Sequence, residues 1–453
     1  MLENGDVRYL PITERVERMV SKAKKWALLR RKENSEKRIA IIFHNYPPRN
    51  SNIGSALGVD TIESIRRTLQ LMQERGYKVE VIPEDTKEFI RELTANATND
   101  IALLTEKQLQ RAQKVTKEEY LRFFASQPQK IQEQLVKDWG EAPGTVMEYD
   151  GSLLVPGTMN GNVYVTVQPP RGFGADPEKI YHSPYCAPTH HYLAFYYWVR
   201  DIWKADAVAH IGTHGSLEWL PGKNAGLNNT CYPDAALGDL VNIYPYNMTI
   251  TGEGIQAKRR GSACLIEHLP APQSRAGVYD ELEELEKLMD EYVHFEKTQP
   301  EKLDAIAELV RAKAIEANLQ DEIEYNEDEP FGEYIQRLHS YISDLKNLEV
   351  HIGLHILGQP PEEERLTEFM WLLTRLDNGD VPSLNQTLAG YYGFDYYELL
   401  DNSGSVYESL NITYGALLDK MYQQSREIIL LLQSQDFVPA AVENVLALSL
   451  IHI

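Results

Sequence analysis

The sequence predicts an α/β protein: parallel β-α-β units forming Rossmann-like layers, followed by mostly helical segments. Three observations carry this expectation. Arg38-Ile39-Ala40-Ile41-Ile42-Phe43 is a short, continuous apolar run, as expected of a strand buried on both faces, and Asn162–Val167 and Ala207–Gly212 read as further strands. Helical patterns separate such runs, Thr61–Arg75 after the first and Pro188–Trp203 before the last. Strand, helix, strand in that order calls for parallel pairing with right-handed crossovers. Beyond residue 275 the apolar residues recur at helical spacing instead, as in Leu282, Leu285, Leu288 and Met289.

Taken in order, residues 1–36 are polar, basic around Lys22–Lys37, and helical in pattern. They read as a lead-in or the tail of an upstream domain. Residues 37–145 form an α/β segment with a Gly-rich loop: the strand at 38–43, a loop from Asn45 to Gly58, the helix from Thr61 closed by Gly76, a strand at Tyr77–Ile82, then mostly charged helix from about 85. Residues 146–275 form a second α/β core. Residues 276–349 are an acidic helical segment that carries about −14 of the chain's net charge of −22, read as the solvated faces of amphipathic helices. Residues 350–453 are helical again. The chain stops on Leu448-Ser449-Leu450-Ile451-His452-Ile453, an apolar stretch without a cap, which reads as a truncated C-terminus.

Charge and composition exclude several function classes. With 67 acidic against 45 basic side chains in 453 residues, neither duplex nucleic acid nor an anionic membrane surface fits as the main partner. No apolar run approaches the roughly 18–20 residues of a membrane span. The N-terminus has neither the basic nor the apolar region of a signal peptide. Cys186, Cys231 and Cys264 are too few and too scattered for a disulfide framework or a four-thiolate zinc site, so a reduced, cytoplasmic protein is expected.

The densest chemistry lies in His210-Ile211-Gly212-Thr213-His214-Gly215-Ser216-Leu217-Glu218-Trp219-Leu220-Pro221-Gly222-Lys223. It begins as a strand, breaks at two glycines and turns into a short helix. Ligands of open α/β sheets bind at the carboxyl ends of strands, and two imidazoles and a carboxylate converge there. Such ligands suit a borderline divalent metal such as cobalt. A core role for either histidine alone is the bland alternative. Six residues rather than four separate Gly215 from Gly222, and Asn224 follows Lys223, so the stretch is not a P-loop. His190 and His191 open the aromatic helix. Lys258, Arg259 and Arg260 close the string Gly252-Glu253-Gly254-Ile255-Gln256-Ala257-Lys258-Arg259-Arg260, and Arg49 and Arg171 each follow Pro-Pro. Isolated cations in an acidic chain suggest docking of a small polyanion with several carboxylates, against the alternative of a solvated helix end for Lys258–Arg260.

Tyr46-Pro47-Pro48-Arg49-Asn50, Asn52-Ile53-Gly54-Ser55-Ala56-Leu57-Gly58, Gln168-Pro169-Pro170-Arg171-Gly172, His190-His191-Tyr192-Leu193-Ala194 and the 210–223 string together resemble the CobN-type large subunit of cobaltochelatase, a family that includes the H-type large subunit of magnesium chelatase. The 252–260 string and Gly353-Leu354-His355-Ile356-Leu357-Gly358 resemble the cobalt branch more closely. The resemblance implies the tetrapyrrole-binding subunit of a ligase that forms nitrogen–metal bonds in cobalamin biosynthesis, inserting Co2+ into hydrogenobyrinic acid a,c-diamide. The alternatives are Mg2+ insertion into protoporphyrin IX and a non-catalytic tetrapyrrole carrier. It further implies ATP hydrolysis by separate AAA+ partner subunits. On this reading Glu218 and His214 are catalytic, and His210, His214 and Glu218 handle the metal. His190, His191, Arg49, Arg171, Lys223, Glu253, Lys258, Arg259 and Arg260 line the tetrapyrrole.

Overall fold

Ile39–Phe43 (β1) pairs with two strands that come more than a hundred residues later. The computed structural model describes residues 10–45, 53–56, 58–96, 98–99, 105–172, 183–212, 215–247, 251–271, 273–275, 281–317, 319–320, 322–326, 328–347, 349–351, 353–435 and 437–438. In the first of two units, residues 1–270 with 355–359, β1 lies between Val163–Val167 (β3) and Ala207–Ile211 (β4), parallel to both. Val241–Asn247 (β5) and Cys264–His268 (β6) extend the parallel sheet beyond β4, and Thr158–Asn160 (β2) closes the other edge antiparallel to β3. The sheet order is β2-β3-β1-β4-β5-β6, so one sheet spans both α/β stretches that the sequence reading separates at residue 145.

Every residue of β1 and β3 is buried, as strands covered by helices on both faces require. Ala40, Ile42, Tyr164 and Val208 face His190–Tyr197 (α3) and Tyr232–Leu237 (α4). Ile39, Ile41, Phe43, Val163 and Val165 face Thr61–Glu74 (α2), which packs Ile62, Ile65 and Leu69 onto them. The aromatic helix α3 is apolar all round and is buried through its first seven residues, as such a helix must be. Thr189 caps it by accepting from the Tyr192 N–H at 3.1 Å. Past Tyr197 it widens into a π-helical turn over Trp198–Ile202. Thr13–Arg31 (α1), within the expected lead-in, is tied to this unit by ion pairs from Arg15 and Arg18 to Asp234 and from Lys25 to Asp239.

Two expectations need correction. Tyr77–Ile82 is not a strand. Its backbone is held by one side chain: Asn160 Oδ1 accepts from Glu80 and Val81, and Asn160 Nδ2 donates to the Val81 carbonyl at 2.6 Å. The charged stretch after 85 is not helix throughout. Gln113–Thr116, Ser152–Val155 and Glu148–Tyr149 form a small antiparallel sheet within it.

The second unit comprises residues 271–354 and 360–453. Helices Glu281–Thr298, Leu303–Glu316 and Phe331–Asn347 bury a shared stripe that includes Leu285, Met289, Ile306, Val310 and Leu338. Their carboxylates stand on the wet faces, as amphipathic periodicity demands. Glu363–Thr374, Leu384–Tyr391, Tyr396–Asp401 and Tyr414–Ser434 surround a cleft of about 500 Å³ lined in part by Trp371, Tyr396 and Tyr422. Among the described residues no helix is long and apolar enough to cross a membrane.

Candidate functional site at the strand switch point

Counted in chain order, the five parallel strands lie second, first, third, fourth, fifth across the sheet. The connection leaving β1 runs to one side and the one leaving β3 crosses to the other. The crevice at the carboxyl ends of β1 and β4 is therefore the topological switch point, where such sheets bind ligands. His44, Asn45 and Gly212 occupy it. The His44 N–H donates to the Ile211 carbonyl at 2.7 Å. Gly212 has φ +153°, and a Cβ there would overlap that of His44, so only glycine lets the two strand ends approach this closely.

Glu218 sits beyond this point on a single 3-10 turn, Leu217–Trp219, pegged to the core by Leu217 and Leu220. Its side chain is buried. Oε1 accepts from the Gly215 N–H at 2.9 Å and from the Tyr244 hydroxyl at 2.8 Å, and Gly215 N also reaches the Tyr244 oxygen at 2.6 Å. These bonds leave Oε2 as the carboxylate's open oxygen. Two guanidinium groups grip the end of the turn. Arg171 donates to the Trp219 carbonyl at 3.2 Å, and Arg260 donates to the Leu220 carbonyl at 2.6 Å.

A directional chain of hydrogen bonds runs beneath the turn. Asn242 Nδ2 donates to the Gly261 carbonyl, which turns Asn242 Oδ1 toward His210 Nδ1 at 2.8 Å. An amide oxygen only accepts, so His210 carries its proton on Nδ1. Its Nε2 lone pair then takes the Tyr196 hydroxyl at 2.9 Å. The Tyr196 oxygen accepts from Gln168 Nε2, and Gln168 Oε1 accepts from the Ser216 N–H at 2.8 Å. Burial pulls the His210 pKa below the ordinary imidazole value, which keeps this neutral tautomer.

The structure brings some of the expected residues together and separates others. Glu218, Arg171 and Arg260 converge on one turn. His210 is beneath it, yet both ring nitrogens are engaged, so this structure leaves no lone pair for a metal; His210 positions the turn instead. Arg171, 1 % exposed, spends its fork on the carbonyls of Trp219, Ser183 and Cys186, which removes it from the set expected to grip peripheral carboxylates. His190 and His191 are packed at the buried start of α3. His190 donates from Nε2 to the Gly140 carbonyl at 3.0 Å and accepts the Tyr120 hydroxyl on Nδ1 at 2.8 Å. His191 donates to the Leu154 carbonyl at 2.9 Å and is fully buried. Neither faces an open macrocycle site. Arg260 keeps its Nε without a partner.

Glu253, Lys258, Arg259 and Arg260 share helix Thr251–Gly261 (α5), whose last turn holds the three cations where the helix dipole favours them. Lys258, Arg259 and Lys223 are exposed and Glu253 is half-buried. His214 and Arg49 lie outside the described residues, and among the described ones no three His, Cys, Asp or Glu side chains gather as a metal set. Sequence reasoning gave no role to Gln168, Asn242 and Tyr244. The signal was present for two of them: Asn242 and Tyr244 stand two apart on β5 and so share the face of His210.

A doubly wound sheet with a clamped, buried carboxylate at its switch point defines a ligand-binding α/β protein with an acid–base group at the site. Comparison with known proteins carries this further. Residues 2–449 match the family described as CobN/Magnesium Chelatase, and the chain belongs to that family. It is 36% identical over 410 residues to the aerobic cobaltochelatase subunit CobN of Pseudomonas aeruginosa, covering 90% of this chain and 33% of that protein. It is 33% identical over 382 residues to the H-type large subunit of magnesium chelatase from Chlorobaculum parvum, covering 83% and 29%. An uncharacterized protein of Methanocaldococcus jannaschii is 42% identical over 413 residues, covering 89% and 33%. The catalytic subunit of cobaltochelatase from Mycobacterium tuberculosis superposes with a TM-score of 0.85 at 32% identity, over 98% of this chain and 37% of that one. The chain thus spans about a third of the length of the relatives it matches.

Proposed function

We propose that this chain serves in the tetrapyrrole-binding large subunit of an ATP-dependent chelatase that inserts Co2+ into hydrogenobyrinic acid a,c-diamide or a related corrin. The observation that carries this reading is the Glu218 carboxylate, clamped through Oε1 by Gly215 and Tyr244 at the switch point. Insertion must strip water from the ion and remove protons from the ring nitrogens. Glu218 Oε2 accepts such a proton, and His214 guides the ion. Glu253, Lys223, Lys258 and Arg259 hold peripheral carboxylates, as does Arg49. ATP is hydrolysed by separate AAA+ subunits, and the complex works in the cytoplasm. General-base catalysis contributes about 10²–10⁴-fold, so Glu218→Gln should lower the insertion rate by that factor while tetrapyrrole binding persists.

Insertion of Mg2+ into protoporphyrin IX is the second reading, supported by the similarity to the magnesium-chelatase large subunit. Absorbance titration with the corrin precursor and with protoporphyrin IX, each with and without Co2+ and Mg2+ in the presence of the AAA+ subunits, separates the two. Metal-dependent spectral change with the corrin and Co2+ supports the first reading. The same change with porphyrin and Mg2+ supports the second. Binding of either ring with no insertion reduces the chain to a carrier.

A further inference from the structure

Two buried amides stand at the carboxyl edge of adjacent strands without the partners that burial demands. Asn45, directly beyond β1, is 5% exposed, and neither its Nδ2 nor its Oδ1 has a hydrogen-bond partner. Asn99, 1% exposed, donates from Nδ2 to the Gln168 carbonyl at 2.6 Å, just past the end of β3, and its Oδ1 is unpartnered. Buried polar side chains are hydrogen-bonded in the large majority of cases, and leaving one unpaired is costly. Asn45 is fixed rather than loose. Its backbone bridges Ile53 antiparallel, and the neighbouring His44 carbonyl accepts from the Gly54 N–H at 2.9 Å.

The unmet bonding capacity has a chemical signature. The two amide oxygens need donors, and the Asn45 NH2 needs an acceptor. A carboxylate only accepts, so it would leave both oxygens bare. A carboxamide offers an NH2 and a carbonyl together and can answer Asn45 in both directions. Exchanging the O and N assignments of Asn45 changes nothing, since both atoms are open. We propose that Asn45, supported by Asn99, recognises a carboxamide substituent on the rim of the macrocycle. It thereby sets a preference for an amidated ring over one carrying carboxylates alone. This rests on the tetrapyrrole-binding function proposed above and deepens it, because it assigns specificity to a residue of the switch point.

The test is equilibrium titration of the full chain with three probes: hydrogenobyrinic acid a,c-diamide, hydrogenobyrinic acid and protoporphyrin IX. Sites built to hydrogen-bond a ligand group discriminate strongly against analogues lacking it, so the wild type should bind the diamide about 10- to 100-fold more tightly than the free acid. Asn45→Ala should bring that ratio to within about twofold by weakening the diamide alone. It should leave the thermal midpoint unchanged or raised, since an unpaired buried amide contributes nothing to stability. Asn45→Ser repeats the measurement should the alanine variant not fold. If the wild type binds both corrins equally, or the variants keep the wild-type ratio, carboxamide recognition by Asn45 is overturned while tetrapyrrole binding stands. If none of the three probes binds the wild type, the function proposed above fails and takes this inference with it.

Discussion

Removing the His191 imidazole tests whether the start of α3 is structural. Its Nε2–H donates to the Leu154 carbonyl, so the neutral ring presents a bare Nδ1, which is buried and unpartnered. Protonation would place a second N–H where nothing accepts it, and burial pulls the pKa from 6.5 down to about 4. The unfolded chain takes up this proton near pH 6.5 while the folded chain refuses it until near pH 4. The stability contribution is therefore complete above pH 6.5 and drains away as pH falls toward 4. At 1.36 kcal/mol per unit the whole effect is about 3 kcal/mol, of which about 2 kcal/mol is gone by pH 5. Urea unfolding of wild type and His191→Leu at pH 7.5 and pH 5 reads it directly. Other histidines titrate in both proteins and cancel in the difference. The stability gap should move by about 2 kcal/mol in favour of the variant at pH 5. A gap that stays constant would mean that the ring accepts a proton in the folded state. The expectation that His191 faces the macrocycle would then return.

Arg171→Ala strips donors from three carbonyls and should cost about 3 kcal/mol or more, lowering the thermal midpoint by roughly 6–12 °C in calorimetry; Arg171→Lys should restore little, lacking the planar fork. Tyr244→Phe removes one hydroxyl from the Glu218 clamp and should slow metal insertion about 10- to 100-fold at unchanged tetrapyrrole affinity, as read in steady-state absorbance assays. Gly212→Ala should either prevent folding or force β1 and β4 apart at their carboxyl ends, visible as faster amide exchange of His44 against an unchanged rate at Ile41.

Much of the sheet was legible because buried parallel strands have little choice of composition. Ile39–Phe43, Val163–Val167 and Ala207–Ile211 each fall within the runs read from the sequence, and the helix after β1 begins at Thr61 as its cap and periodicity require. Tyr77–Ile82 has the same composition but loses its ladder to the Asn160 side chain, a contact across 80 positions that no local pattern encodes. At the site, the turn carrying Glu218 was legible from its glycines and its carboxylate. The partners were not. Residue type says that histidine can bind metal and arginine can bind carboxylate. It does not say that Asn242 and Tyr196 have already filled both nitrogens of His210, or that backbone carbonyls have claimed Arg171.

The same bonds explain why so much polarity is buried beneath one turn. From the Gly261 carbonyl to the Ser216 N–H each link has a forced direction: the carbonyl orients Asn242, Asn242 sets the His210 tautomer, His210 takes the Tyr196 proton, and Tyr196 turns Gln168. A network satisfied at every link holds a single arrangement, whereas a half-satisfied one costs more than an apolar core. What it fixes is the backbone at Gly215–Ser216, and that backbone donates to Glu218 Oε1. An acid–base group must meet its proton within a few tenths of an ångström. A carboxylate on a short turn would wander without such support. The histidine in the strand therefore matters to the chemistry through the geometry it imposes on Glu218.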